Sequence, residues 1–154
     1  MAEQQTAQRP GVPQISIELQ YIKDLSFENP LGPDLVSYVQ KNPAVSVEVN
    51  TTARPLAPNR YEVALALRGE AKAEDKTMFV VELTYAGVVT LFNVPEEGVR
   101  PVLLIEAPRL LFPFARNVVA EVTRDGGFPP LFIQPVDFAQ IYRQQHMQQA
   151  AGQA

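Results

Sequence analysis

Through residue 92 the chain repeatedly alternates apolar and polar residues with a period of two, and beyond it that alternation stops. In the first run Ile15, Ile17, Leu19, Tyr21, Leu25 and Phe27 alternate with Ser16, Glu18, Gln20, Asp24, Ser26 and Glu28; Ile22-Lys23 is the irregular point. Successive side chains of a strand point to opposite faces, so this run predicts a long, half-buried strand from Gln14. Asn29-Pro30 ends it, because proline donates no ladder hydrogen bond. Val45, Val47 and Val49 predict a second strand, and Tyr61, Val63, Leu65 and Leu67 a third. After a turn at AKAEDK (71–76), Phe79, Val81, Leu83 and Tyr85 predict a fourth. Gly87 is expected to mark a bulge before Val88–Phe92. Short turns between successive strands imply an antiparallel sheet with one covered face.

The spacing then becomes helical. Pro95-Glu96-Glu97 reads as a helix start, with acids at the positive end of the dipole. Pro101 and Pro108 are expected to limit 96–107 to one or two short turns. From Pro108, Leu111, Ala115, Val118 and Val122 recur at helical spacing, widened by Phe112 and Val119. Pro113 should bend this helix and Gly126-Gly127 should end it. Asp137 and Gln140 resemble a capping box before a short helix striped by Phe138, Ile141 and Tyr142. Strands followed by helices indicate an α+β fold, a four-stranded antiparallel sheet with a long proline-bent helix and a short C-terminal helix on one face.

The 154 residues suit one domain, expected over 14–143, with a disordered arm over 1–13 and a flexible tail over 144–154. Only 19% of residues are charged, a hint of self-association or a large partner surface. A net charge of −4 disfavours nucleic acid and favours basic or neutral partners. With no cysteine and a single histidine, His146, there is no basis for disulfides, thiolate metal sites or a histidine metal cluster. No metal or other cofactor is expected. No apolar run is long enough to span a membrane, and MAEQQTAQRPGVPQ lacks the apolar region of a signal peptide. A cytoplasmic location is therefore expected. No G-x-S-x-G and no glycine-rich phosphate loop occurs, so enzymatic activity is not expected.

Asp24 and Glu28 raise the question of a catalytic carboxylate pair. On a strand they share a face about 13 Å apart, too far for hydrolysis between carboxyl groups roughly 5–9.5 Å apart. Glu82 has the same alternation parity, so Asp24, Glu28 and Glu82, with Val80 among them, can form an acidic, partly apolar docking face for a basic partner. On residue pattern alone, the plainer reading is a solvated sheet face. A second oddity is apolar surplus in two proline-stiffened connections, Leu31–Val39 and Phe128–Ile133. Side by side with the last helix they would line a groove for extended apolar peptides; alternatively, both loops close off the core.

The stretches YIKDLSFENP (21–30), YEVALALRGEA (61–71), FVVELTYAGVVTL (79–91) and LLFPFARNVVAEVTRDGGFPPLFIQPVDF (110–138) resemble the SecB family of bacterial protein-export chaperones, from about Ile15 to Arg143. The resemblance implies a non-enzymatic cytosolic homotetramer, a dimer of dimers. Such an assembly holds unfolded secretory precursor proteins and delivers them to the SecA motor ATPase. It implies SecA binding by Asp24, Glu28, Val80 and Glu82, the family commonly having leucine at the Val80 position. It also implies a client groove, for which Leu31, Leu35, Val36, Tyr38, Phe128, Phe132, Phe138, Ile141 and Tyr142 are the candidates. In the family the extreme C-terminus can also touch SecA; the tail here, QQHMQQAAGQA, has no acids, so the resemblance does not carry that contact over. The rival readings are a SecB-like chaperone for an antitoxin and a small-molecule-binding α+β domain.

Overall fold

A computed structural model describes residues 11–152; most of the expected N-terminal arm and the last two residues of the tail lie outside them. The strands are β1 (Gln14–Glu28), β2 (Ala44–Ala57), β3 (Arg60–Ala73) and β4 (Lys76–Phe92). They form one antiparallel sheet in the order β1-β4-β3-β2. The chain crosses the whole sheet between β1 and β2. That connection, expected to be irregular, contains a 3-10 helix over Gly32–Ser37.

β2 is much longer than its valine alternation suggests. It runs through Pro55, which pairs with Tyr61. A proline is tolerated there because β2 is an edge strand and its other side needs no donor. The β3–β4 hairpin is tighter than expected: the strands run to Ala73 and Lys76 around Glu74 and Asp75, both with positive φ. That is the backbone of a turn whose twist matches the flanking strands.

Gly87 marks no bulge; two register slips lie in β1, and two others at Leu56 of β2 and Met78 of β4. The β1–β4 register slips at Glu18 and again at Lys23. Each slip inserts one unpaired residue and reverses the facing of the residues after it. Ile15, Ile17, Leu25 and Phe27 therefore face the helices, whereas Leu19 and Tyr21 face outward, Leu19 57% exposed. Gly87 stays in regular register with Gln20 and Val63. Its role is clearance: a Cβ there would lie 3.0 Å from Leu111 Cδ2.

The helical layer is more continuous than its prolines suggest. Helix α1 (Glu96–Pro101) passes through a π-helical stretch (Val102–Glu106) into α2 (Ala107–Asp125). The Ala107 N–H bonds to the Val102 carbonyl, and this wide turn takes up the Pro108 ring and its missing donor. Helix α3 (Phe138–Ala151) does not stop near Arg143, where the sequence predicts its end. Leu111, Ala115 and Val119 of α2 are buried on Val63, Leu65, Val81, Leu83 and Val89 of the sheet. No helix among the described residues is long and apolar enough to cross a membrane.

Candidate functional site

The helix-free face of the sheet carries the charge. Asp24 stands opposite Thr84, Ser26 opposite Glu82, and Glu28 opposite Val80. Asp24, Glu28, Val80 and Glu82 thus share one face on two adjacent strands. The neighbouring β3 and β2 add residues that sequence alone did not single out. Arg68 lies between Glu82 and Glu48, and Glu70 lies beside Val80. The Arg68 guanidinium is 3.2 Å from Glu82 and 3.0 Å from Glu70. That arginine holds the Glu70 carboxyl below the usual range. Asp24, Glu48, Arg68 and Glu82 rim a shallow depression of about 380 Å³, whose floor is lowered by the small side chain of Ala66. Only strand register reveals Glu48 and Arg68 as neighbours of Glu82.

Further along the same face Glu62 is almost buried. It lies 2.7 Å from Lys23 Nζ and 3.0 Å from Arg54 Nε, and it accepts a hydrogen bond from the Tyr21 hydroxyl. The Lys23 and Tyr21 bonds hold its pKa at about 2, overcoming the opposing effect of burial. The same bond raises the Tyr21 pKa.

On the helix-covered side, the two proline-stiffened connections do meet. A hollow of about 250 Å³ opens between Val39, Pro43 and Val45 on one side and Phe128–Leu131 on the other, with Met78 and Phe79 lining it. Phe27, Phe79 and Phe128 form an aromatic trio at this end, the Phe79 and Phe128 ring centroids 4.8 Å apart and edge-on. Buried Thr123 fixes the Phe128–Leu131 wall. Its carbonyl accepts the Phe128 N–H at 3.1 Å and its hydroxyl accepts the Leu131 N–H at 2.9 Å. The intervening Pro129 and Pro130 have no N–H to offer.

The structure divides the candidate groove residues. Val36 (85% exposed) and Phe132 (68%) present free apolar side chains. Phe128 is buried but walls the hollow. Leu31, Leu35 and Tyr38 are half-buried, packed on the core. Phe138 is a correction: it is 1% exposed, edge-on to Phe112, and belongs to the core rather than to a groove surface. Ile141 also packs on the core, and Tyr142 stacks on His146. Helix α3 thus does not wall this hollow. It borders a separate cavity of about 660 Å³ between β2, the α1 end of the helical layer, Gln145 and Gln148. There the Gln145 amide donates to Asn50 Oδ1 at 2.8 Å. Val39 lies in the connection the sequence singled out, whereas Pro43, Val45 and Met78 were missed, because only the folded sheet places them beside the Phe128 loop.

Among the described residues, no group of acids and histidines stands close enough together to hold a metal ion. What the geometry does provide is an apolar hollow on the helix-covered side of an open sheet and a charged opposite face. Such a hollow can bury apolar side chains of a polypeptide. Comparison with known proteins supplies the family. The family model for "Preprotein translocase subunit SecB" matches residues 5–149. The SecB protein-export protein of Azorhizobium caulinodans is 51% identical over 147 residues, covering 92% of either chain. That of Paramagnetospirillum magneticum is 54% identical over 140 residues, covering 89% of this chain and 90% of its own. The fold is similar to a solved SecB-like chaperone of Mycobacterium tuberculosis in complex with an antitoxin peptide. The TM-score is 0.63 at 11% identity, with 79% of this chain and 90% of that one covered. The chain belongs to the SecB family, and its function is that of a protein-export chaperone that binds unfolded client polypeptides.

Proposed function

We propose that the protein is a cytoplasmic, non-enzymatic homotetramer, a dimer of dimers, that carries unfolded secretory precursors to the SecA motor ATPase. The observation that carries this reading is the separation of surfaces. The hollow walled by Phe128, with Val36 and Phe132 free nearby, takes apolar client segments. The opposite face, bearing Asp24, Glu28, Val80 and Glu82, docks SecA. Client and motor are then held at once. Apolar contacts discriminate little between sequences, so selectivity comes from kinetics: a fast-folding chain hides its apolar segments first. Self-association is supported by Leu110 and Phe114, both exposed on α2, with Phe114 stacked on Tyr85 beside the uncovered Ile22 of β1.

The test uses purified SecA and an unfolded precursor. Asp24→Lys and Glu82→Lys are expected to weaken SecA binding at least tenfold (about 1.4 kcal/mol) and to leave precursor affinity unchanged. Val36→Asp with Phe132→Ser is expected to do the reverse. Equal loss of both affinities in either variant refutes the separation. Light scattering that returned a monomer would refute the assembly.

A further inference from the structure

Asp24 reaches the docking face only because of the residue before it. Tyr21 faces outward and Ile22 faces the helices. Strict alternation would then turn Lys23 outward and Asp24 inward, taking Ser26 and Glu28 with it and exposing Leu25 and Phe27. The unpaired Lys23 prevents this. A bulge puts both of its residues on one side of the sheet, so Lys23 and Asp24 point outward together. A bulge interrupts the ladder, so something must favour the bulged register over the regular one.

Burial of Leu25 and Phe27 favours it in part, and Glu62 adds a polar clamp. It stands on β3, yet it reaches β1 over buried Ala86 of β4, the residue opposite both Tyr21 and Ala64. One carboxylate oxygen takes Lys23 Nζ at 2.7 Å and Arg54 Nε of β2 at 3.0 Å. The other takes the Tyr21 hydroxyl. The side chain is only 8% exposed on a face otherwise open to solvent, so it is satisfied internally and spans the sheet from β1 to β2. It also occupies the ammonium of Lys23, the cation next to Asp24 in the chain.

We propose that Glu62 is a positioning residue for the docking acids, holding the Lys23 bulge so that Asp24, Ser26 and Glu28 face the partner. The inference rests on the docking reading above. The experiment titrates SecA and an unfolded precursor against wild type, Asp24→Lys, Glu62→Gln and Tyr21→Phe. Tyr21→Phe loses one hydroxyl and covers the case in which Glu62→Gln fails to fold. The expected result for Glu62→Gln is a threefold to tenfold loss of SecA affinity, on the order of a removed charge contact, with precursor affinity unchanged. Tyr21→Phe should lose about half as much on a logarithmic scale. The signature of lost positioning is spectroscopic: the methyl contact between Leu25 and Leu83, which face each other in the bulged register, weakens in Glu62→Gln. If Asp24→Lys weakens SecA binding while Glu62→Gln and Tyr21→Phe bind like wild type, the positioning role is overturned and docking stands. If Asp24→Lys has no effect, the docking reading fails and the inference with it. Parallel loss of precursor affinity would mark Glu62 as a general stability residue and also overturn the proposal.

Discussion

Gly126 offers a substitution whose sign distinguishes packing from backbone propensity. Its φ of −76° and ψ of −1° are accessible to any residue. Backbone arguments alone therefore say that Gly126→Ala stabilises, by about 0.4–1 kcal/mol, through a stiffer unfolded chain. The structure says the opposite. A Cβ at this point would lie 2.2 Å from Phe27 Cζ and 2.3 Å from Cε1, against an ordinary carbon contact of roughly 3.5–4.0 Å. The Phe27 ring must therefore shift by more than ~1 Å. It has little freedom to do so, stacked on Phe79 at 5.9 Å and set edge-on to Phe128 at 6.1 Å. Overpacking of this kind costs about 1–3 kcal/mol, and a disturbed aromatic pair adds ~0.5–1.5 kcal/mol. Against the backbone gain, the net is a destabilisation of about 2 kcal/mol. With a slope of ~2 kcal/mol per molar urea, the unfolding midpoint should fall by roughly 1 M at fixed protein concentration. Gly98→Ala is the matched control, since its Cβ would meet only Val94 Cγ1 at an ordinary 3.5 Å and Pro95 Cδ at 3.8 Å; its midpoint should rise slightly. If Gly126→Ala matches or exceeds wild type, the aromatic trio is not rigid.

Phe138→Ala should cost about 3–5 kcal/mol, as deletion of a buried aromatic does; retained stability with selectively lost client binding would return Phe138 to the groove. Thr123→Val keeps the shape but removes the acceptor of the Leu131 N–H, at about 1 kcal/mol. Hydrogen exchange at Leu131 should accelerate, and unchanged exchange would dismiss the latch. Glu62 predicts a pH dependence. Its folded pKa of about 2 lies below the ordinary 4.5, so its stabilisation is present above pH ~4.5 and is lost as pH falls towards 2. The shift corresponds to ~3 kcal/mol, and the partly exposed Lys23 and Arg54 reduce that to about 2. The stability gap between wild type and Glu62→Gln, followed by urea unfolding, should shrink from pH 7 to pH 3; a constant gap would contradict the assignment.

The sheet was legible because alternation is a local property of each strand. Its faces were legible only between irregularities. No bulge separates Asp24 from Glu28, so their shared face follows from counting by twos; two bulges separate Ile17 from Leu25, so the same counting misplaces Leu19 and Tyr21. The Ile22-Lys23 break in the pattern was the visible trace of the second bulge. The first, at Glu18, leaves alternation intact in the sequence and reverses it in space. Prolines misled in the opposite sense. Pro101, Pro108 and Pro113 look like three interruptions, yet Pro101 sits at the end of the short α1, the π-helical stretch takes up Pro108, and the helix runs through Pro113.

The hollow was harder to read for a reason that bears on how it works. An apolar stripe reports that a surface needs covering, not what covers it. Phe138 and Ile141 are covered by the chain's own core, whereas Val36 and Phe132 are left free, and sequence assigns all four to the same class. The Phe128–Leu131 segment next to Phe132 is held by Thr123, while Pro129-Pro130 offer no donors. A wall made this way presents apolar surface without spare backbone N–H groups across the prolines. It rewards side-chain burial more than a fixed pattern of hydrogen bonds. On the proposed reading of the hollow as the client site, tolerance of client sequence belongs to the same residues that make it, and replacing Pro129-Pro130 by Ala-Ala should trade it away. Two restored donors give the wall a hydrogen-bonding register, so affinities across unrelated unfolded clients should spread further apart than in wild type. An unchanged spread in a client panel would place the source of tolerance elsewhere.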